Sequence, residues 1–506
     1  MRRNTILLGI IGTLAACNGG SDSEDAKTSA AAQANASAAA ATDTANNVRE
    51  TIEALRGSGR GATSPFTPPP STARDPGPRE TLGDEGRPLE PLTAAQSYAF
   101  DRGKADFIAA EEPDEGLGPA FNLDSCGGCH AQPAFGGTSP KENPQVKMAN
   151  AANALPPFIT ANGPVREARF VRNADGSPDG GVHGLFTIAG RAGADSCGLQ
   201  QPDFARELAR NNVVFRIPTP VFGAGLIESI PDSEILKNQA QAAATKQALG
   251  IRGRPNVLLT GSSISGQPNR NGNDGTIGRF GHKAQNKSLL IFSGEAYNVE
   301  MGITNLAFPT ERDETEGCMD LAVSPNSEAN FEHTPPVPGS PYYPAVEGLS
   351  SIEKFTVFMR FLAPPKPSIK VTGATVDSID RGRQFFTDSG CALCHTPSLK
   401  TYGKTSIPAM SGKSVDLFSD LLLHDMGMGL ADGVQQGQAG GRDWRSAPLW
   451  GLGQRLFFLH DGRTSDLRTA IQAHYSDGSE ANAVTKRFFA LPDAQQQDLL
   501  NFLRSL

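Results

Sequence analysis

Apolar residues recur at helical spacing in a few short stretches of this chain, separated by long polar and irregular segments. Phe100 and Phe107 stand seven apart on one helical face with Gly103 between them, and Ile379 and Phe386 repeat that arrangement around Gly382. Both copies share an Asp-Arg-Gly core (Asp101-Arg102-Gly103 and Asp380-Arg381-Gly382), with glycine where a second backbone can come close. Thr93 and Gln96 have the spacing of a capping box for the first helix. Leu467, Ile471 and His474 predict a helix over about residues 465–474 with His474 on its apolar face. Asp493 is placed to cap a last helix whose Leu499, Phe502, Leu503 and Leu506 form one stripe. With 55 Gly and 37 Pro in 506 residues, the rest reads as loops. The expected fold is mainly α, with helices joined by long irregular connections.

The first residues have another pattern. Met1-Arg2-Arg3-Asn4 is basic, and residues 5–16 are apolar but too few to span a bilayer. They end in Leu14-Ala15-Ala16-Cys17, which looks like a bacterial lipobox and predicts a signal peptide over 1–16 with lipid on Cys17. An ordinary secretory signal with an incidental cysteine is the alternative. Either one directs the chain to the cell envelope, and Asn18 resembles the sorting signal for an outer-membrane lipoprotein facing the periplasm. Residues 17–91 read as a disordered tether, Ala/Ser/Thr/Asp-rich over 30–45 and Gly/Pro-rich over 57–91, with one or two helical turns over 47–56. The folded part runs from 92 to 506. Its parent chain carries a net charge of −8 and shows no basic stripe, which argues against nucleic acid as a partner.

The chemistry lies in two motifs, Cys126-Gly-Gly-Cys129-His130 and Cys391-Ala-Leu-Cys394-His395. Cys-x-x-Cys-His is the attachment signature of a c-type haem: two thiols add to the porphyrin vinyls and the histidine ligates the iron. A four-thiolate zinc site is the competing interpretation, but zinc ribbons bring their pairs closer in sequence and need no histidine after each. A thioredoxin-like redox pair is open for either motif taken alone. Two haems divide the folded part into a haem domain over 92–370, with a large insertion after residue 132, and a cytochrome c-like domain over 371–506. Of seven cysteines, Cys17 and the four motif thiols leave Cys197 and Cys318, which an oxidising compartment predicts as a disulfide.

Longer tracts carry a family resemblance. Residues 421–467 contain LLLHDMGMGLADG, RDWRSAPLWGLG and FFLHDGRTSDL; SCGGCHAQPAFGGTSPKENP, FRIPTPVFGAGLIESIP and EMGITN occur upstream. Together they resemble the bacterial dihaem oxidoreductases, which are similar to dihaem cytochrome c peroxidases, the cofactor-maturing enzyme MauG and the rubber oxygenases. The resemblance implies His130 as proximal ligand of a first haem that meets the oxidant, and His395 as proximal ligand of a second haem that relays electrons. Fourteen residues after His460, where those peroxidases carry a Met ligand, stands His474. Bis-His ligation by His395 and His474 is therefore expected, with a lower potential than a thioether would give. Acid/base chemistry at the first haem falls to Glu300, Glu295 and His282; relatives commonly have a Trp at the position of His282, thought to lie between the haems. Arg442 and Arg445 are natural partners for propionates, His424-Asp425 for a propionate or calcium ion, and some relatives hold calcium between their domains. The implied partners are an electron-donor protein or quinol-linked cytochrome, peroxide or O2, and the membrane through the lipid. Three functions remain open: a peroxidase-like enzyme, an O2-dependent dioxygenase, and a lipid-anchored electron carrier without catalysis.

Overall fold

The computed structural model describes residues 66–79, 85–177 apart from 113, 114, 119, 153 and 154, 201–258, 276–308 apart from 306, and 337–506, with strand residues 188–189, 263–264 and 267–268. The signal segment, Cys17, the tether up to residue 65, Cys197 and Cys318 lie outside the described residues.

Helices dominate, and the strands pair only as two-stranded ribbons among the described residues. The helices that build the site are α1 (Ala94–Ile108), α2 (Cys126–Cys129), α3 (Leu289–Met301), α4 (Ser351–Phe361), α5 (Val376–Ser389), α6 (Leu467–Ala473) and α7 (Asp493–Ser505). The ribbons that matter are β1 (Glu167–Phe170) with β2 (Val213–Arg216), and β3 (Leu423–Asp425) with β4 (Asp443–Arg445), both antiparallel.

Two helix pairs, α1 with α4 and α5 with α7, are built alike. In each the repeated glycine is the point of closest approach: a Cβ on Gly103 would stand 2.3 Å from the Lys354 carbonyl oxygen, and one on Gly382 1.9 Å from that of Asp498. No side chain fits there without parting the helices. The apolar residue of the repeat then meets an aromatic of the partner helix, Phe107 on Phe358 at 4.9 Å and Phe386 on Phe502 at 5.4 Å between ring centroids. An ion pair closes each crossing, Asp106 with Lys354 at 3.1 Å and Arg381 with Asp498 at 2.7 Å. The capping box at Thr93 and Gln96 forms as its spacing predicts. Around the pairs lie two separate apolar cores, one containing Phe107, Tyr297 and Phe358, the other Phe386, Leu467 and Phe502.

Two expectations need correction. Residues 66–79, assigned by composition to the tether, are bound along α6 and α7. Phe66 packs on Tyr475 and Phe489, and Asp75 forms a two-pronged ion pair with buried Arg504 at 2.7 Å on each arm. Low apolar content does not prevent ordering when backbone and carboxylate groups find partners on a preformed surface. Asp493 is the first residue of α7 and not its cap, which is Pro492. Its carboxylate instead accepts from the Thr72 hydroxyl (2.6 Å) and backbone N–H (2.8 Å). Among the described residues no helix is long and apolar enough to cross a membrane.

Candidate functional site

The second motif lies where α5 ends. Gly390, at φ 99°, turns the chain into a short helical turn over Cys391–Leu393. Cys391, Cys394, His395 and His474 line one cavity of about 290 Å³, walled by Phe386, Leu467, Phe488 and Leu503. His395 Nδ1–H donates to the Phe418 carbonyl at 3.1 Å, and His474 Nδ1–H to the Ala470 carbonyl at 2.8 Å. Each bond leaves the lone pair of a neutral ring on Nε2. Burial, and next the neighbouring His474, pushes His395 down to about 4. His474 is presented by α6, whose start is fixed by Asp466 accepting from the Thr469 N–H at 2.7 Å. Arg279, Arg445 and Arg455 also border the cavity. Burial lowers both Arg445 and Arg455 to about 10, and Arg455 has no ion pair among the described residues.

The first motif lines a smaller cavity of about 170 Å³. Ser125 caps α2 by accepting from the Gly128 N–H, and His130 Nδ1–H donates to the Gly137 carbonyl at 2.9 Å, with the Thr219 carbonyl also facing the ring. Opposite elements supply polar walls. Phe292, Ala296 and Val299 share a face of α3 with Glu295 and Glu300 beside them. Glu300 accepts from the Asn122 side-chain N–H at 2.7 Å, and Glu295 from that of Asn286. Alternation along the β1–β2 ribbon sends Glu167, Arg169 and Arg216 toward this cavity, while Ala168, Phe170 and Phe215 face an apolar cluster with Phe158 and Phe204.

Burial pushes the Cys391 thiol up to about 12 and that of Cys129 well above its ordinary value.

His282 borders both cavities. Its Nε2–H donates to the Ile217 carbonyl at 2.9 Å, and the Ile217 N–H donates to the His460 carbonyl at 2.8 Å. Burial, then the nearby Arg216, holds His282 down at about 3, so the ring is neutral at neutral pH. Behind it, Trp444 stacks on His460 at 3.8 Å between centroids, with Lys283 Nζ 4.1 Å and the Arg216 guanidinium 5.5 Å from the indole. Both cations meet the buried Asp432 carboxylate, at 3.0 and 2.7 Å. Burial would raise that carboxyl, but Lys283 and Arg216 outweigh it and hold Asp432 at about 2.

The structure thus brings Glu295, Glu300 and His282 to the cavity of His130, and His474 to that of His395. The remaining candidates have the following partners. Arg442 pairs with Asp425 at 2.5 Å, and Arg445 donates to the carbonyls of Gly281 and Ser446. His424 is buried between Asp420 and Glu480 at 3.1 and 3.0 Å. Met426 is core and Met428 is exposed. Calcium finds no group of three candidate ligands among the described residues. Sequence reasoning missed Arg216, Asp432 and Arg455. Arg216 begins FRIPTP's RIP and Arg455 precedes FFLHDG, so both lay inside or beside tracts already singled out.

A mainly α protein with two cavities, each floored by Cys-x-x-Cys-His and sharing one wall, belongs among the two-cofactor redox proteins. The chain is a member of the di-haem oxidoreductase family: the family model described as "Di-haem oxidoreductase, putative peroxidase" matches residues 175–506. Among solved structures it is similar to hydrazine synthase of Kuenenia stuttgartiensis (17% identity, 31% of this chain and 55% of that one, TM-score 0.21). It is also similar to the diheme peroxidase BthA of Burkholderia thailandensis E264 (15% identity, 46% and 66%, TM-score 0.26). The chain therefore spans less than two thirds of either relative's length. No curated protein matches.

Proposed function

We propose that this chain is a peroxidase-like enzyme of the cell envelope, with a reactive haem at His130 and a closed electron-relay haem between His395 and His474. The carrying observation is the asymmetry of the cavities: His395 and His474, each oriented through Nδ1, line the second, whereas His130 lines the first beside Glu167, Glu295 and Glu300.

The residues fit the group that the family implies. Each cavity has apolar side chains in its lining, two partly buried thiols that are not joined in a disulfide, and a histidine oriented through Nδ1 by a backbone carbonyl. Arg455, a partly buried cation without an ion pair among the described residues, suits an occupant with an apolar body and an anionic edge. Cys126 and Cys129, and Cys391 and Cys394, would hold the two haems c covalently, and bound haem would supply the electron exchange that reduces peroxide. The chain's own part is proton handling and exclusion of water. Glu300, partly buried and steadied by Asn122, is the group placed to move a proton between the two oxygens of peroxide. Glu295 is fully buried and committed to Asn286, which suits positioning. His282, held near 3, is too weak a base for that task at neutral pH and better serves as a rigid spacer between the sites. The domain boundary near 370, lipidation at Cys17, the Cys197–Cys318 bridge and an electron-donor cytochrome belong to the same proposal.

Titration of the purified protein with hydrogen peroxide, starting from the oxidised and the half-reduced states and followed by ultraviolet–visible absorption, tests it. One haem should respond while the other keeps a low-spin bis-His spectrum. Two haems that both ignore peroxide would leave an electron carrier.

A further inference from the structure

The strap formed by residues 66–79 lies outside the part of the chain that matches the family model, and it is bound to the element that presents His474. Three strap groups contact α6 or its side chains. The Phe66 carbonyl accepts from Gln472 at 3.4 Å, the Pro69 carbonyl accepts from Arg468 at 3.3 Å, and the Asp75 carboxylate accepts from the Leu467 N–H at 2.9 Å. The last bond satisfies an N–H at the start of α6 that the helix itself leaves without a partner, and places negative charge at that end.

Asp75 does more than cap. The same carboxylate grips Arg504 of α7 through Nε and Nη2, both at 2.7 Å. Arg504 is 1% exposed and spends Nη1 on the carbonyls of Arg455 and Leu452, at 2.9 and 3.3 Å. One carboxylate thus joins the start of the His474 helix, the terminal helix and the backbone of Arg455. Farther along, Arg79 donates its N–H to the Gly453 carbonyl and Nη2 to that of Leu506. Phe66 covers Tyr475, the residue after His474, at 4.8 Å between ring centroids. Short α6 has a single buried face, and the strap contacts add to its Asp466 cap and to the packing of Leu467 and Ala470.

We propose that the strap, acting through Asp75, is the positioning element that keeps His474 on the iron of the second haem and so closes that haem to outside ligands. This rests on the assignment of His474 as an axial ligand. Asp75 touches neither haem nor substrate; its role is exerted through α6 and Arg504.

The test compares full-length holoprotein with Asp75→Ala, Asp75→Asn and Thr72→Val, the last altering a strap contact made to α7 alone. The readouts are the low-spin signal of the second haem by electron paramagnetic resonance and the binding of added cyanide. Asp75→Ala should show a high-spin fraction at the second haem, and its cyanide affinity should rise roughly tenfold, the factor given by about 1.4 kcal/mol of lost positioning. Added imidazole should restore the low-spin signal. Asp75→Asn, which keeps an acceptor for the Leu467 N–H, should fall between, and Thr72→Val should match the parent. If Asp75→Ala and Asp75→Asn both fold and hold two haems yet keep the parent's signal and cyanide affinity, the strap does not position the ligand. A His474→Ala chain that retains the low-spin signal would instead remove the ligand assignment and leave the strap's contacts with a purely structural purpose.

Discussion

The two cavities share a plan and differ in what faces their motif histidine. The cavity of His395 is lined mostly by apolar side chains and by His474, with Arg279, Arg445 and Arg455 on its border and Glu480 turned to His424. Around His130 the walls carry Glu167, Glu295, Glu300, Arg169 and Arg216. Carboxylates beside a motif histidine can move protons, whereas a second imidazole facing it suits electron exchange. On the proposed function, the residue facing each histidine divides the work, although the helix pairs that frame the two sites are nearly the same.

The sharpest way to break that difference is to empty the second far side. His474→Ala should convert the second haem from low-spin to high-spin and let it bind carbon monoxide when reduced, so that both haems report as open by magnetic circular dichroism. A single reactive haem in that variant would mean that His474 does not close the site. Conversely, neutralising the first wall should leave both spectra intact and remove chemistry. Glu300→Gln is expected to slow the peroxide reaction about 10²–10⁴-fold, the range for loss of a general acid/base. Glu295→Gln should cost less, since that carboxylate is bonded to Asn286. Stopped-flow rates at one peroxide concentration rank the two; an inverted order would move the acid/base role to Glu295.

The wall between the cavities predicts an effect on stability. Asp432 is buried against two buried cations, so Asp432→Asn should destabilise the fold by about 3–5 kcal/mol, the cost of leaving a buried charge without its partner. With its folded value near 2, below the ordinary carboxylate range of about 3.9, Asp432 contributes stability that is complete above that range. That contribution is lost as the pH falls through 2. Urea unfolding at pH 7 and at pH 3 would show the parent losing part of this increment and the variant lacking it at both. Equal acid sensitivity in the two would place the acid-labile carboxylate elsewhere.

Much of this comparison was legible in the sequence, and the reasons differ by residue. Cys-x-x-Cys-His and the spacing of His474 are local patterns, and the helices that carry them obey ordinary periodicity, so motif and element agree. Glycine at 103 and 382 announced helix crossings, yet the partner of α1 went unseen because it lies about 250 residues on, inside the segment taken as insertion. A signal was present: Ser350 and Glu353 form a capping box ahead of Phe355, Phe358 and Phe361, which parallels the stripe of α7. The strap was misread because composition reports apolar burial, while residues 66–79 are held mainly by hydrogen bonds and one ion pair to groups far along the chain. Arg216 and Asp432 meet only in three dimensions; nothing in their spacing joins them.

The smallest expected effect concerns the aromatic groups in the shared wall. Trp444, stacked on His460 and beside His282, has the placement of an electron-hopping station, and Trp→Phe at such a station would slow transfer between the haems severely. Its electrostatics argue otherwise. Lys283 and Arg216 lie over the indole at 4.1 and 5.5 Å, and a ring that has lost an electron would be repelled by both through a low-dielectric interior. Asp432 offsets one of these charges, leaving one positive charge in excess. The indole N–H donates to the Leu430 carbonyl at 2.8 Å, an acceptor that cannot take the proton away. Trp444→Phe should therefore change the rate of inter-haem electron transfer by no more than about twofold, the ring keeping its packing on His460. Flash photolysis of the half-reduced carbon monoxide complex measures that rate directly. A large loss in Trp444→Phe would show that the wall conducts by hopping through the indole despite its cations, and the two sites would then be coupled by this ring and not merely separated by it.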